Sequence, residues 1–269
     1  MSGHLVVCPT PIGNLEDITL RVLAALREAD VVACEDTRHT RVLLDKYGVS
    51  ARTVSYHEHN EAGRSSELVG RMQAGETVAL VSDAGMPLVN DPGFVLVQAC
   101  VAAGIGVEVL PGPSAALTAL VASGLPSTTW RFVGFLPRKA GELSSLLSSA
   151  AETLVAFESP RRLAASLAAL ASLDPSRPVA VCRELTKLHE EILRGTAAEL
   201  SQHFSETEPR GEIVVVIGAA PEEVASLGPA LEALSKLVEA GAKKRPAAQV
   251  VSDLTGVSAN TLYRALTES

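Results

Sequence analysis

Short β-branched runs alternate with Ala- and Leu-rich stretches of helical period along most of the chain, and no other feature limits the fold as much. HLVVC is followed by LRVLAALREA, DVVACE by HTRVLLDKYG, TVSYH by SSELVGRMQAG, and TVALVSDAG by PGFVLVQACVAAG, GVEVLPG and SAALTALVASG. Strands joined by helix-length connections pair in parallel and need helices over both faces of their sheet. GLPSTT breaks the pattern with Gly, Pro and small polar residues, which places a domain boundary near residue 125. A second alternation (WRFVGFL, GELSSLLSSAA, TLVAFES, RRLAASLAALASL, RPVAVCREL, TAAELSQHF, GEIVVVIGAA) predicts another α/β unit to about residue 220.

After the acidic link PEEV the text changes character: PALEALSKLVEAG, AAQVVSDLTG and SANTLYRALTE predict three helices separated by Gly, with Ser258 as an N-cap. The run AAQVVSDLTGVSANTLYRAL has the spacing of a helix-turn-helix; a three-helix cap packed on the body is the other reading. The expected layout is therefore an N-terminal α/β domain (1–124), a second α/β domain (125–222) and a helical tail (229–269).

The 269 residues, 47% of them hydrophobic and 20% charged, suffice for a large buried core and exclude disorder or a fibre as a description of the whole. No stretch approaches the roughly 20 apolar residues of a membrane span, and MSGHLVVCPTPIGN lacks a basic region followed by an apolar one, so a soluble, unexported, cytoplasmic protein is expected. Cys8, Cys34, Cys100 and Cys182 are scattered without a CxxC pair, and LVVC, VVAC and VAVC read as buried strands. Reduced core thiols are expected, with no structural zinc and no metal in the site. Net charge is −8, but residues 229–269 hold five Lys and Arg against four acids, leaving 18 against 27 elsewhere. A polyanion is then held only where cations are concentrated locally.

Three strand ends carry special turn chemistry. The first runs into Pro9-Thr10-Pro11-Ile12-Gly13-Asn14-Leu15, the fourth into Ser82-Asp83-Ala84-Gly85-Met86-Pro87 and Asn90-Asp91-Pro92-Gly93, and the fifth into Leu110-Pro111-Gly112-Pro113-Ser114-Ala115-Ala116. Open α/β sheets bind ligands at the carboxyl ends of their strands, so three such loops predict one cleft. Small residues let a ligand approach the main chain, Asp83 is an acceptor for an amine or ribose, and the helix opened at Ser114 offers free amides to a carboxylate. Neither GxGxxG nor GxxxxGK[ST] is present. Acids and imidazoles follow two further strands, as Glu35-Asp36-Thr37-Arg38 and as His57-Glu58-His59-Asn60-Glu61, where helix capping is the competing explanation. Arg161, Arg162 and Arg183 follow strands of the second unit and are either phosphate contacts or ordinary ion pairs.

PTPIGNLEDITLRVLAALREADVVACEDTRHTRVLL, SDAGMPLVNDPG, LPGPSAALTALVASGLP, FESPRRL and CRELTKLHEE, in register over residues 4–269, resemble the small-subunit ribosomal RNA methyltransferase I family, a branch of the tetrapyrrole methylase superfamily. The resemblance implies an α/β fold with two αβα domains of the tetrapyrrole methylase (class III methyltransferase) type. It also implies S-adenosylmethionine in the cleft, a homodimer, and 2′-O-methylation of a decoding-centre cytidine in 16S ribosomal RNA, with the substrate presented within the small ribosomal subunit. Carried over motif by motif, the donor is expected to touch Pro11, Ser82, Asp83, Ala84, Gly85, Met86, Val89, Ser114 and Ala115, with Phe157 and Leu185 from the second domain. Met86 departs from the family's more frequent Thr, which a backbone contact survives and a hydroxyl contact does not.

Methyl transfer from a sulfonium is an in-line displacement, so alignment is most of the work, with a base for the weakly nucleophilic ribose hydroxyl. Glu35, Asp36, His57 and Glu58 are the candidates, unranked. RNA contacts are expected at Arg38, Arg138, Lys139, Arg161, Arg162 and the Lys243-Lys244-Arg245 cluster, forming one face. The rival readings are methylation of a precorrin-like tetrapyrrole, against which the tail and the EDTR and FESPRRL motifs count, and a non-enzymatic nucleic-acid module, which leaves the three loops unexplained. A Ser-His-Asp hydrolase lacks its GxSxG elbow.

Overall fold

Five short strands, β1 (Leu5–Cys8), β2 (Val31–Cys34), β3 (Thr53–Ser55), β4 (Val78–Val81) and β5 (Val107–Val109), form a wholly parallel sheet in the order β3-β2-β4-β1-β5. The computed structural model describes residues 3–207, 209–220 and 227–268; the PEEV link (221–224) lies outside the described residues. Every residue of β1, β2 and β4 is buried, as a parallel sheet covered on both faces requires. Helices α1 (Leu20–Glu28) and α2 (Thr37–Lys46) pack Val22, Leu26 and Leu44 on Val6, Val32 and Ala79, while α3 (Glu61–Gln73) and α4 (Phe94–Ala102) pack Leu68, Met72, Leu96 and Cys100 on Leu5, Val7 and Leu80. Register pairs Val7 with Leu80 and Cys8 with Val81, so the central strands end level with each other and their loops leave side by side.

The second sheet, β6 (Trp130–Phe135), β7 (Thr153–Glu158), β8 (Pro178–Arg183), β9 (Glu191–Thr196) and β10 (Ile213–Ile217), runs β6-β7-β10-β8-β9 and is mixed. Only β6 and β7 are parallel; β10 lies antiparallel between β7 and β8, and β9 antiparallel on β8. Strand β9 is absent from the sequence reading, because EILRGT is a half-buried edge with a Gly and an Arg inside it rather than an apolar run. One face of this sheet is filled from α6 (Ala140–Ser149), α7 (Pro160–Leu173) and α8 (Ala197–Glu206) by Leu147, Leu163, Leu167 and Phe204. The other face takes α5 (Ala115–Ser123), whose Ala116, Ala119 and Leu120 pack with Val155, Ala180, Val214 and Val216. On β9, Arg194 Nε donates to the carbonyls of Ala122 (3.1 Å) and Ser123 (3.2 Å), satisfying the last turn of α5.

By packing, the chain divides into two compact units, Met1–Ala220, which holds both sheets, and Pro221–Ser269. In the second, α9 (Leu227–Glu239), α10 (Lys244–Thr255) and α11 (Ala259–Glu268) share a core of Leu234, Ala247, Ala248, Val251, Val257 and Leu262. Gly256, left-handed at φ 75°, ends α10, and Ser258 accepts from Leu262 N–H (3.0 Å) as α11 begins, so a short turn links the last two helices. No helix among the described residues is long and apolar enough to cross a membrane. All four cysteines are free and buried. Burial pushes the Cys8 thiol up to about 12 and those of Cys100 and Cys182 to about 11, which leaves them protonated at neutral pH.

Arg177, 3% exposed, ties the second sheet to its helices: Nε donates to Asp174 (2.9 Å), and Nη1 to the carbonyls of Leu147 (3.2 Å) and Gly218 (3.4 Å). Truncation strands a carboxylate and two buried carbonyls, so Arg177→Ala should destabilise the protein by about 3–5 kcal/mol. Urea unfolding reads this directly; a loss under about 1 kcal/mol means that the three acceptors are otherwise solvated.

Candidate active site

Two backbone hydrogen bonds join the loops after β1 and β4: Thr10 N–H donates to the Gly85 carbonyl (2.9 Å) and Gly85 N–H to the Thr10 carbonyl (3.0 Å). Thr10 Oγ1 donates to the Ser82 carbonyl (3.0 Å), and Ser82 Oγ to the Gly85 carbonyl (3.0 Å). Gly85 sits at φ 82°, a conformation L side chains rarely adopt, with Ile12 Cγ2 only 3.3 Å from where a Cβ would stand. At Gly13 a Cβ would lie 2.9 Å from the Leu185 carbonyl, and the next amide, Asn14 N–H, donates to Thr186 Oγ1 (3.0 Å). The first loop is thereby held between the second loop and the turn after β8.

These loops and the ends of β7 and β10 enclose a cleft of about 400 Å³. Ile12, Ala84, Val89, Ala115, Ala116, Phe135 and Phe157 make its walls largely apolar, and Ser114, which caps nothing with its side chain, lies where α5 opens. Three carboxylates line it: Asp91, Glu158 and Glu212. The fully buried Glu158 side chain accepts from Ser159 N–H (2.8 Å) and Ser166 Oγ (2.6 Å) and pairs with Arg162 (3.3 Å). Glu212, largely exposed, shares Lys187 (3.0 Å) with Glu184 (2.9 Å). Among the described residues Asp91 faces no cation; burial first, then the charges of Glu35 and Asp83, push its carboxyl up to about 6, against the lowering influence of the Ser82 hydroxyl.

Beside the cleft, Glu35, Asp36, Arg38, Ser55, His57 and Asp83 line an open recess. Asp83 accepts from Asp36 N–H (3.1 Å), which ties the β4 loop to the β2 loop. Asp36 caps α2 through Arg38 N–H (2.8 Å), and its bonds to the Arg38 side chain hold its carboxyl well below the usual range. Glu35 is raised by burial and then by Asp83, with His57 opposing. His57 Nε2 lies 3.2 Å from Asn60 Nδ2, and its Nδ1 is buried without a hydrogen-bond partner. Glu58 is exposed and lines neither space.

Of the donor contacts expected from sequence, Ala84, Val89, Ser114, Ala115 and Phe157 line the cleft. Pro11, Ser82 and Asp83 line a small neighbouring hollow with His39, Gly85 serves the bridge, and Leu185 is buried with Ile12 between the sheets. Met86 lines neither the cleft nor that hollow. Asp91 was not among the expected site residues: Asn-Asp-Pro-Gly reads as turn chemistry, and only a carboxylate placed after a strand end marked it. Among the expected RNA contacts, Arg38 pairs with Asp36 (2.6 Å) and Lys139 with Glu142 (2.9 Å). Arg162 turns inward, donating to the carbonyls of Leu136 (2.9 Å) and Pro137 (2.8 Å), and Arg183 pairs with Glu191 (3.0 Å). Arg138, Arg161, Lys243 and Lys244 are exposed, and Arg245 lies over the Tyr263 ring at 5.4 Å.

This loop cleft above a parallel sheet, next to a mixed sheet, is the architecture of a methylase, and the chain belongs to the tetrapyrrole (corrin/porphyrin) methylase family, whose model matches residues 4–201. Within that family its relatives carry a narrower name. "Ribosomal RNA small subunit methyltransferase I" of Mesorhizobium japonicum is 48% identical, covering 98% of this chain and 91% of the relative, and that of Micromonospora olivasterospora is 47% identical, covering 97% and 86%. Among solved structures, uroporphyrin-III C-methyltransferase from Thermus thermophilus superposes with a TM-score of 0.58 at 26% identity, over 80% of this chain and 94% of its own. A further structure under that name, complexed with S-adenyl homocysteine, gives 0.57 at 22%, over 80% and 97%.

The inward Arg162 has a measurable consequence. Arg162→Ala leaves the buried Glu158 without its cation and two carbonyls without a donor, and should cost about 2–4 kcal/mol of stability. Thermal unfolding tests this; a variant as stable as the parent that binds RNA more weakly would return Arg162 to the RNA face.

Proposed function

We propose that the chain transfers a methyl group from S-adenosylmethionine to the ribose 2′-oxygen of a decoding-centre cytidine in 16S ribosomal RNA. The observation that carries the reading is the cleft, in a chain 48% identical over nearly its full length to a relative named for small-subunit ribosomal RNA. Its chemistry fits the donor. Phe157, Ile12 and the small Ala84 and Ala115 offer apolar surface to a purine, and the opening turn of α5 offers unpaired amides to the amino-acid carboxylate. When bound, the donor supplies an electrophilic methyl group on a positively charged sulfur. The chain's own part is to hold the two reactants in line, exclude water with the apolar walls, and take up one proton. Of the four base candidates from sequence, Asp36 is committed to Arg38 and Glu58 lies away from the cleft, which leaves Glu35 and His57 in the recess.

The tetrapyrrole reading rests on the fold and a neighbour at 26% identity, against 48% for the RNA reading. A homodimer is part of the proposal, supported by the apolar Leu117 and Val121, 50% and 80% exposed, one turn apart on α5. RNA docking is assigned to Arg138, Arg161 and the tail. There Lys243, Lys244 and Arg245 open α10, where the helix dipole disfavours cations; Arg245 gains the Tyr263 ring, and Lys243 and Lys244 are exposed.

Calorimetry should show the donor and its demethylated product binding with micromolar affinity, roughly 8 kcal/mol. Primer extension on 16S RNA from cells with and without the gene should then lose one ribose-methylation stop. Heat from the donor without a ribose stop would retain the methylase and remove the substrate. Neutralising Lys243, Lys244 and Arg245 together should lower the salt slope of RNA binding by roughly two to three units and leave donor affinity alone. Wild-type RNA affinity and slope would make the tail a structural cap.

A further inference from the structure

Strand β6 breaks its alternation where it reaches the cleft. Phe132 packs on the α5 side of the second sheet and Val133 on the side of α6, α7 and α8, so a strict period of two would turn Phe135 to the helix side with Val133. Instead Phe132 pairs with Val155 and Phe135 with Phe157, three residue steps on β6 against two on β7, which is a bulge. Gly134 permits it: the backbone there is left-handed at φ 66°, and a Cβ would stand 2.8 Å from Asn90 Oδ1 on the loop after β4. Beyond the bulge the alternation resumes, with Leu136 buried in the core under the helices. The inserted residue therefore turns Phe135 to the face of Phe157 and into the cleft, where its ring is 53% exposed.

That ring is presented rigidly. Phe157 lies 5.8 Å away with the planes 68° apart, and Phe132 braces Phe157 at 5.0 Å. An edge-to-face contact leaves at least one face of the Phe135 ring uncovered by Phe157. Behind it, Leu136 N–H donates to the Phe157 carbonyl (3.1 Å), and Arg162 holds the carbonyls of Leu136 and Pro137. The exposed Arg138 and Arg161 follow directly on the two segments so joined, while Asp91 and Glu212 line the cleft and disfavour a phosphate inside it.

We propose that Phe135 is the platform on which the base of the target nucleotide stacks, an assignment that rests on the ribosomal RNA reading above. Proteins that engage single-stranded RNA lay its unstacked bases on aromatic rings and track its backbone with cations. Phe135 takes the base, Arg138 and Arg161 meet the flanking phosphates at the rim, and the ribose between them is brought to the donor, which lies against the more buried Ile12 and Phe157. Because every base has a π-face, this contact positions the nucleotide without selecting it.

The test compares wild type with Phe135→Ala, Phe135→Leu and Phe135→Trp on small ribosomal subunits from cells lacking the gene, with labelled S-adenosylmethionine. In Phe135→Ala, kcat/KM for the subunits should fall roughly 5–150-fold, the range for losing one base–aromatic stack. Phe135→Leu keeps apolar bulk without a planar face and should fall nearly as far; Phe135→Trp should return to within about threefold of wild type. Retention of labelled subunits on filters, which needs no turnover, should weaken in the same order. Calorimetry with S-adenosylhomocysteine should give affinities within about threefold for all four proteins, and Tm should stay within about 3 °C, since the ring is half exposed. Wild-type kcat/KM in Phe135→Ala or in Phe135→Leu would overturn the stack. A donor affinity that falls in step with kcat/KM would overturn it by assigning the ring to the donor's purine, and a Phe135→Ala protein of smaller sedimenting mass than wild type by assigning it to a contact between two copies. Each of these leaves ribosomal RNA methylation standing, whereas a wild-type protein that transfers no methyl group to ribosomal RNA removes that reading and the stack with it.

Discussion

The two hydrogen bonds between Thr10 and Gly85 set the geometry on which the rest of the site depends. Parallel strands leave unpaired carbonyls and amides at their carboxyl ends, and here the loops after the two central strands pair with each other instead of with water. The Thr10 and Ser82 hydroxyls close the same knot from both sides. Once Gly85 is fixed, the preceding residues diverge: Asp83 lines the recess and reaches the Asp36 amide, and Ala84 lines the cleft. The division into an apolar cleft and an acidic recess is thus a consequence of one cross-loop bridge. A residue with a side chain in place of Gly85 would have to adopt the left-handed conformation and press on Ile12, a cleft wall.

Electrostatics at this edge are unbalanced in a way the folded state does not need. Glu35, Asp83 and Asp91 repel one another in a partly desolvated space, and Arg38 serves only Asp36. Elsewhere in the same unit acids are matched, Asp174 with Arg177 and Glu184 with Lys187. Unmatched carboxylates destabilise the fold and favour a ligand that carries positive charge, a property of the sulfonium donor proposed for the cleft. The same edge repels a polyanion, which is why exposed cations such as Arg138 and Arg161, and those of the tail, matter more to the RNA reading than Arg38 or Arg162 does.

Periodicity made the first sheet legible, since LVVC, VVAC and VALV are apolar throughout, as strands buried on both faces must be. The same signal failed at β9, a half-buried edge whose Gly195 and Arg194 look like loop, although Arg194 caps α5. Strand direction was illegible too: β10 reads like any buried strand, and only its neighbours reveal that it runs antiparallel between β7 and β8. In the site, the small residues Ala84, Ser114 and Ala115 line the cleft at loop positions whose direction the loop's own backbone decides. The environments of Asp83 and Arg162 are not legible in this way, because partners far away in sequence, the Asp36 amide and the Leu136 and Pro137 carbonyls, hold them.

Helix α5 shows why the two sheets form a single site. It leaves the first sheet through Gly112 and Ser114, yet its Ala116, Ala119 and Leu120 are buried on the second sheet and its last carbonyls are held by Arg194 from the far edge strand. Small residues on that face let the helix axis lie close to β7, β8 and β10, which brings Phe157 and Ile213 opposite the loops of the first sheet across the cleft. The helix therefore does two jobs with one placement: its packed side joins the halves, and its first turn, left uncapped by Ser114, faces the ligand space. Bulk added at Ala116 or Ala119 would push the sheets apart and widen the cleft, so the spacing of the site is set by side-chain volume in a buried seam rather than by the residues that line it.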